Sequence, residues 1–305
     1  MYNYPSYLEL LHNGELVNRA ESLYAMMQNC VLCPRLCNKN RVDGSKVICK
    51  AGEELTVSSA FAHYGEEPEI TGFSGSGTVF LSHCSLRCAF CQNFDISHAG
   101  NGETISVERL AEILMELQNL GCHNINFVTP THFSPHLVDA IHKAALKGLS
   151  IPIVWNSSGY ESIDVIRLLD GIVDIYMPDL KFLDEISSKR YCKAPDYPEV
   201  AKNILIEMNR QVGPLEVDDR GIARRGLLVR HLIMPGHLAD TKNILEFISS
   251  EISINTYVNI MDQYRSVQNA KRFSEIDRRI TREEYIGAIE YASKLGLYRG
   301  FGTVP

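Results

Sequence analysis

Six short apolar runs, most of them followed directly by a helical pattern, fill the chain from residue 78 to residue 295. The runs are Thr78–Ser82, His123–Thr129, Ile151–Asn156, Val173–Pro178, Leu227–Met234 and Tyr257–Met261. Each is rich in Val, Ile, Phe or Tyr and nearly continuous in its apolar character, as strands covered on both faces are. The helical patterns are Val107–Leu120, Pro135–Leu149, Ile163–Leu169, Pro198–Val212, Asp240–Ile252 and Arg282–Leu295. Ser106 caps the first, and Gly121, Gly148 and Gly296 punctuate helix ends. Strict alternation implies a parallel sheet with right-handed crossovers. Six units are two short of a closed eight-unit barrel, and the pattern alone leaves a doubly wound sheet and a barrel both open. In either, ligands bind at the C-terminal ends of the strands.

Upstream, residues 1–29 read as one amphipathic helix and residues 30–50 as a Cys-rich loop. The run Leu55–Ala62 alternates like a strand, and Gly72-Phe-Ser-Gly-Ser-Gly77 marks the change of regime. The expected division is therefore an N-terminal appendage over residues 1–71 and a core over 72–305. Glu216–Arg225 reads as a solvated loop.

Charge and cysteine placement narrow the class. Thirty Lys and Arg against 37 Asp and Glu give a net charge of −7, which disfavours nonspecific nucleic-acid binding. No apolar run reaches the roughly 18 residues of a membrane span, and the start lacks the pattern of a signal peptide. A cytoplasmic protein is expected. Seven of the nine cysteines fall between Cys30 and Cys91, at the close spacings of metal or iron–sulfur ligands and unlike a spread disulfide framework.

Directly after the first core strand stands His83-Cys84-Ser-Leu-Arg-Cys88-Ala-Phe-Cys91. Three thiolates without a fourth leave one coordination position open, the mark of a reactive centre. Zinc with His83 or His98 as fourth ligand is the plainer alternative, and three buried thiols the plainest.

The arrangement resembles the radical S-adenosylmethionine (radical SAM) superfamily, whose signature places three cysteines at these spacings on the loop after the first strand. The resemblance implies a partial (β/α)6 barrel with an N-terminal Cys-rich appendage. It also implies a 4Fe–4S cluster on Cys84, Cys88 and Cys91, with S-adenosylmethionine chelated to the fourth iron and Phe90 near its adenine. Further motifs narrow it: Ser74-Gly-Ser-Gly77, Asn124–His132, Asn156-Ser-Ser-Gly159, Pro178-Asp-Leu-Lys181 and Val229–Gly236 are similar to the pyruvate formate-lyase activating-enzyme subgroup. That likeness runs from about Cys30 to Leu297 and implies an oxidoreductase that makes a 5′-deoxyadenosyl radical.

By the same resemblance, cofactor-contacting positions fall at Asn156, Ser157, Asp179 and Lys181, with Thr129, Thr131, His132 and Tyr264 expected at the same pocket; Arg230 either offers a guanidinium to a carboxylate or pairs with a structural Asp. A monovalent cation beside the Asp179–Lys181 region and an electron donor such as flavodoxin or ferredoxin are further implications. Departures exist. Thr129-Pro-Thr-His132 replaces a Gly-Gly-Glu element, and Gln263-Tyr264 stands where some activases carry a histidine. His136 reads as an ordinary residue, Glu66-Glu67 as a solvated turn, and Cys122 and Cys192 as plain buried thiols.

A second cluster, Cys30, Cys33, Cys37 and Cys49, offers four thiolates, a closed set for zinc or an auxiliary iron–sulfur cluster. Arg35, Lys39, Arg41, Lys46 and Lys50 surround it, a cationic setting suited to a tetrathiolate. The expected activity is radical chemistry on a glycyl-radical enzyme or other peptide, in a pocket with few fixed charges. Radical modification of a small molecule is the alternative, and a non-catalytic zinc-binding interaction module is the third reading.

Overall fold

The computed structural model describes residues 4–301. Two helices, α1 (Tyr7–His12) and α2 (Glu15–Gln28), open the chain where one was expected. Gly14, with φ of 79°, separates them, because a left-handed residue cannot sit inside a right-handed helix. Strand β1 (Thr56–His63) and short helix α3 (Pro68–Thr71) follow the Cys-rich loop.

The core begins with β2 (Ser76–Leu81), α4 (Phe94–Ser97), β3 (Glu103–Thr104) and α5 (Val107–Asn119). It continues through β4 (Ile125–Val128), α6 (Ser134–Leu146), β5 (Ile153–Ser157), α7 (Ile163–Leu168) and β6 (Ile175–Pro178). Next come α8 (Glu185–Cys192), α9 (Tyr197–Val212), β7 (Glu216–Val217) and β8 (Ala223–Leu232). Helix α10 (Leu238–Phe247), β9 (Tyr257–Met261) and α11 (Arg282–Lys294) complete it. Residues 216–225, expected as a loop, form the β7–β8 antiparallel hairpin instead, since Gly221 and the Asp218 turn let the chain reverse within the insertion.

Strands β2, β4, β5, β6, β8 and β9 pair in parallel in that order, the six expected from the sequence, as a partial (β/α)6 barrel. The interior strands β4, β5 and β6 carry almost wholly buried side chains, which explains their unbroken apolar runs.

Strand β1 pairs antiparallel with β2, with His63 opposite Ser76, and so adds an edge strand to the barrel sheet. The turn after it reaches the last strand: Asn259 Nδ2 donates to Glu67 Oε1 at 2.6 Å, and Tyr257 Oη to Glu69 Oε2 at 2.7 Å. One hydrophobic cluster holds Tyr7, Leu16, Leu23, Leu137, Trp155 and Val229 together, so the core runs without interruption across residue 71. Tyr7 donates to Ile151 O at 2.9 Å, and Ser6 binds the buried Asp174, fixing the N-terminal arm to the barrel.

Candidate functional site

The loop leaving β2 is short and tightly wound. His83 (φ 72°) and Arg87 (φ 56°) take left-handed conformations, and the His83 N–H donates to Ile96 O at 3.0 Å. Cys84, Cys88 and Cys91 thereby reach one wall of a cavity of about 350 Å³ at the C-terminal ends of the strands. Burial pushes the Cys84 thiol up to about 12. Cys88 is raised first by the Cys192 thiol, whose Sγ lies 3.4 Å away, and then by burial. Cys192 is thus buried as expected, but α8 packs it against the triad. Such sulfurs become thiolates only beside a cation, and three of them on one wall suit a metal centre. Cys91 Sγ lies 3.1 Å from Ser97 Oγ, a contact that the sequence did not suggest.

The rest of the lining comes from successive strand ends: Thr129 after β4, Asn156 and Ser157 on β5, Asp179 and Lys181 after β6, and Arg230 on β8. Thr129 has φ of 61°, costly for a β-branched residue, and its N–H donates to Asn156 O at 2.9 Å. Lys181 Nζ donates to Asp179 Oδ2 at 2.6 Å. Burial alone raises the Asp179 carboxyl, but Lys181 and Arg230 outweigh it and hold the group below its ordinary value. Lys181 is likewise held protonated, because Asp179 and the Cys88 sulfur overcome the burial that lowers it.

Glu66 enters the same cavity, against the expectation of a solvated turn. It accepts from Asn126 Nδ2 at 3.2 Å, Asn156 Nδ2 at 3.3 Å and Arg230 Nη1 at 2.9 Å. Those donors face the barrel interior and draw the carboxylate inward. Arg230 Nε also stands 3.7 Å from Glu67 Oε1 and 3.6 Å from Asp179 Oδ1. The cavity is therefore more highly charged than the expected lining with few fixed charges. Sequence reasoning missed Glu66 and Asn126 as site residues; the polar Asn124 and Asn126 inside an apolar strand were the available signal.

Four of the positions implied by resemblance lie behind the cavity wall. Thr131 Oγ1 donates to buried Glu161 Oε1 at 2.7 Å. His132 is fully buried with Nε2 2.7 Å from Ser82 O, and burial lowers its pKa to about 3. Tyr264 Oη donates to Ile276 O at 2.9 Å. Phe90 packs edge-on against Phe182 and beside Tyr264, as a core aromatic. The physical reason is shared: the Thr131 and Tyr264 hydroxyls, His132 Nε2 and the Phe90 ring each find partners in the packed protein and not in the cavity, although His132 Nδ1 has none among the described residues. His136, too, is buried, with Nε2 2.7 Å from Glu53 O.

The second cysteine group lies on the loop that follows α2, with its sulfurs near one another. Cys30, Cys33 and Cys49 are buried and Cys37 half-buried, on a loop closed by Cys30 N–H to Lys39 O at 2.9 Å. Burial pushes Cys33 upward, and the other three sulfurs are close enough to raise it further, though an N–H of the loop partly offsets this. Cys49 is raised to about 11 by burial, with Arg41 opposing. Arg41 is fully buried and spends its donors on Gly52 O and His132 O; among the described residues no carboxylate pairs with it. A buried cation so placed needs an anion, and the sulfurs are beside it. Among the described residues no three His, Cys, Asp or Glu side chains stand at single-ion spacing. Arg35, from the same loop, donates to Ser85 O, Leu86 O, Cys192 O and Lys193 O, clasping the triad loop and the end of α8.

A family model described as "Radical SAM superfamily" matches residues 78–248. Over 301 residues, 95% of this chain and 82% of the other, the sequence is 33% identical to the uncharacterized protein MJ0674 of Methanocaldococcus jannaschii. Among solved structures, SuiB of Streptococcus suis is similar with a TM-score of 0.47 and 12% identity, over 74% of this chain and 48% of that one. Native anSMEcpe with bound AdoMet gives 0.46 and 10%, over 69% and 57%. The chain spans about half the length of these two structures.

Proposed function

The chain belongs to the radical SAM superfamily, and from that premise we propose that Cys84, Cys88 and Cys91 hold its 4Fe–4S cluster, with Thr129, Asn156, Ser157, Asp179 and Lys181 as the S-adenosylmethionine contacts. The observation that carries this reading is the convergence of the three cysteines and the five strand-end residues on one cavity. When bound, the cluster and cofactor supply reductive cleavage to a 5′-deoxyadenosyl radical. The chain's own contribution is placement. Lys181 stays cationic and Asp179 anionic, so the pair offers a fixed donor and a fixed acceptor to the zwitterionic end of the cofactor. The strained Thr129 turn presents its N–H edge to β5 and its side chain to the cavity.

The substrate we propose is a peptide or protein, glycyl-radical enzymes among them. Arg230, the natural clamp for a small carboxylate, is already bound by Glu66, which argues against an anionic metabolite. The reductant, of the flavodoxin or ferredoxin type, docks in this reading on a basic hollow of about 390 Å³ beside the triad loop. Arg35, Arg87, Arg190, Lys193 and Arg272 line it, and among the described residues no acidic side chain does. Complementary charge of this kind steers an acidic carrier. The Cys30, Cys33, Cys37 and Cys49 group binds zinc or an auxiliary cluster, supported by the buried Arg41.

The test is anaerobic reconstitution followed by reduction with S-adenosylmethionine. Formation of 5′-deoxyadenosine supports the cofactor assignment. A glycyl-radical doublet in the EPR spectrum on adding a glycyl-radical enzyme supports the partner. Cofactor cleavage that responds only to a small carboxylate, and requires Arg230, would replace the peptide reading.

A further inference from the structure

The charges gathered at Arg230 do not balance. Among the described residues Glu66, Glu67 and Asp179 form ion pairs with Arg230 and Lys181 alone, three carboxylates against two cations. On the far side of the Arg230–Glu66 pair lies a second cavity of about 370 Å³, bounded by the 65–68 turn, β9, α11 and Phe301. The two cavities share Gly65, Glu66 and Arg230, so the ion pair is the partition between them.

Glu67 lines only the second cavity. Its side chain is 4% exposed; Oε1 accepts from Asn259, while Oε2 has no hydrogen-bond donor among the described residues. Arg230 does not fill that role, because Nη1 is committed to Glu66 and Nε stays 3.7 Å from the other Glu67 oxygen. A buried carboxylate oxygen without a donor is costly to leave unpaired, and a donor on a ligand in the adjoining cavity would relieve that cost. Exposed Asp262 stands at the mouth, giving the lining three carboxylates against the single Arg230. The remaining walls include the rings of Tyr285 and Phe301, and that of Tyr257, over which the Arg299 guanidinium already lies 5.9 Å from the ring centre. Carboxylates combined with aromatic faces recognise organic cations. The charge turns an anion away, a neutral hydroxyl could donate to Glu67 Oε2 but would leave the excess negative charge uncompensated, and a cationic N–H donor meets both needs.

We propose that this second cavity binds an organic cation, a primary ammonium or guanidinium group, with Glu67 Oε2 as its acceptor. It would hold a basic group of the substrate beside the cofactor cavity, a use that rests on the reading above, whereas the binding itself does not.

The experiment titrates the cluster-loaded full chain, without reductant, with Nα-acetyl-lysine methylamide and with its neutral Nε-acetylated counterpart, by calorimetry. Saturable binding of the cation alone is expected, weakened about tenfold by Glu67→Gln and more modestly by Asp262→Asn. If Glu67→Gln does not fold, Asp262→Asn decides. Equal binding of the two probes, no binding of either, or cation affinity unchanged in the folded variants overturns the site. Cofactor cleavage by the unaltered protein is scored separately, so intact cleavage with no cation binding defeats this inference alone.

Discussion

Arg230 and Glu66 are 164 positions apart in sequence and meet at 2.9 Å inside the barrel, one on the fifth parallel strand and the other on the turn after the antiparallel edge strand. Both side chains are largely buried. Removing one partner leaves the other charged and desolvated. Arg230→Met should therefore cost on the order of 3–5 kcal/mol in chemical denaturation. The double variant Arg230→Met, Glu66→Gln should recover a clear part of that loss. Equal stability of the single variant and the unaltered protein would show that the pair does not hold the turn.

The triad gives a sharper prediction. Cys84→Ala, Cys88→Ala or Cys91→Ala should each abolish 5′-deoxyadenosine formation while leaving the circular dichroism spectrum unchanged, because the sulfurs line a cavity on a loop. Retained product with any of the three would remove that residue from the cluster.

For the quartet the expectation reverses. Cys33→Ala or Cys49→Ala should lower the thermal midpoint more than it lowers cofactor cleavage per folded molecule, since a closed metal site contributes folding energy. Metal analysis of the triple triad variant should still find zinc or iron. Neither metal in well-folded protein would leave the quartet without a ligand.

The basic hollow predicts a rate effect. Reversing Arg87, Lys193 and Arg272 to Glu should slow reduction by flavodoxin, and the unaltered protein should lose its advantage as salt rises. Reduction by dithionite, which needs no docked protein, should change far less. Equal slowing by both reductants would point to a damaged cluster site.

Glu161 sets a pH signature. Burial pushes its carboxyl from 4.5 up to about 7, while the hydroxyl of Thr131 partly offsets this. The folded protein then keeps a proton that the unfolded chain has lost. The stability it contributes is full below pH 4.5 and falls as pH rises through about 7, by up to about 1.4 kcal/mol per pH unit. Glu161→Gln should flatten the stability profile in that window. An identical slope in the variant would assign the dependence elsewhere.

The barrel is legible in the sequence because its strands are buried on both faces, and unbroken apolar runs are the direct imprint of that burial. The run Tyr257–Met261 coincides with its strand at both ends. The triad is legible because ligand spacing is local. What escapes are pairings between distant segments. Nothing near Glu66 announces Asn126, Asn156 and Arg230, and an alternating run such as Thr56–His63 does not name its partner strand. His132 and Tyr264 sit one layer behind the cavity, a distinction that depends on side-chain direction at a strand end and leaves no trace in a motif. Gly14, by contrast, is visible, yet the apolar spacing on either side of it reads as one longer helix.

Arg35 is hydrogen-bonded to four carbonyls, two on the triad loop and two at the end of α8, while its own loop is the one that carries Cys33 and Cys37. Whatever stiffens that loop also stiffens the backbone that aims Cys84 and Cys88. Linkage makes such a tie work in both directions. A metal taken up at the quartet would tighten the hold of the triad on its iron, and loading the triad would raise the quartet's affinity in the same proportion. Occupancy of either thiol cluster would then favour occupancy of the other, through a single arginine side chain.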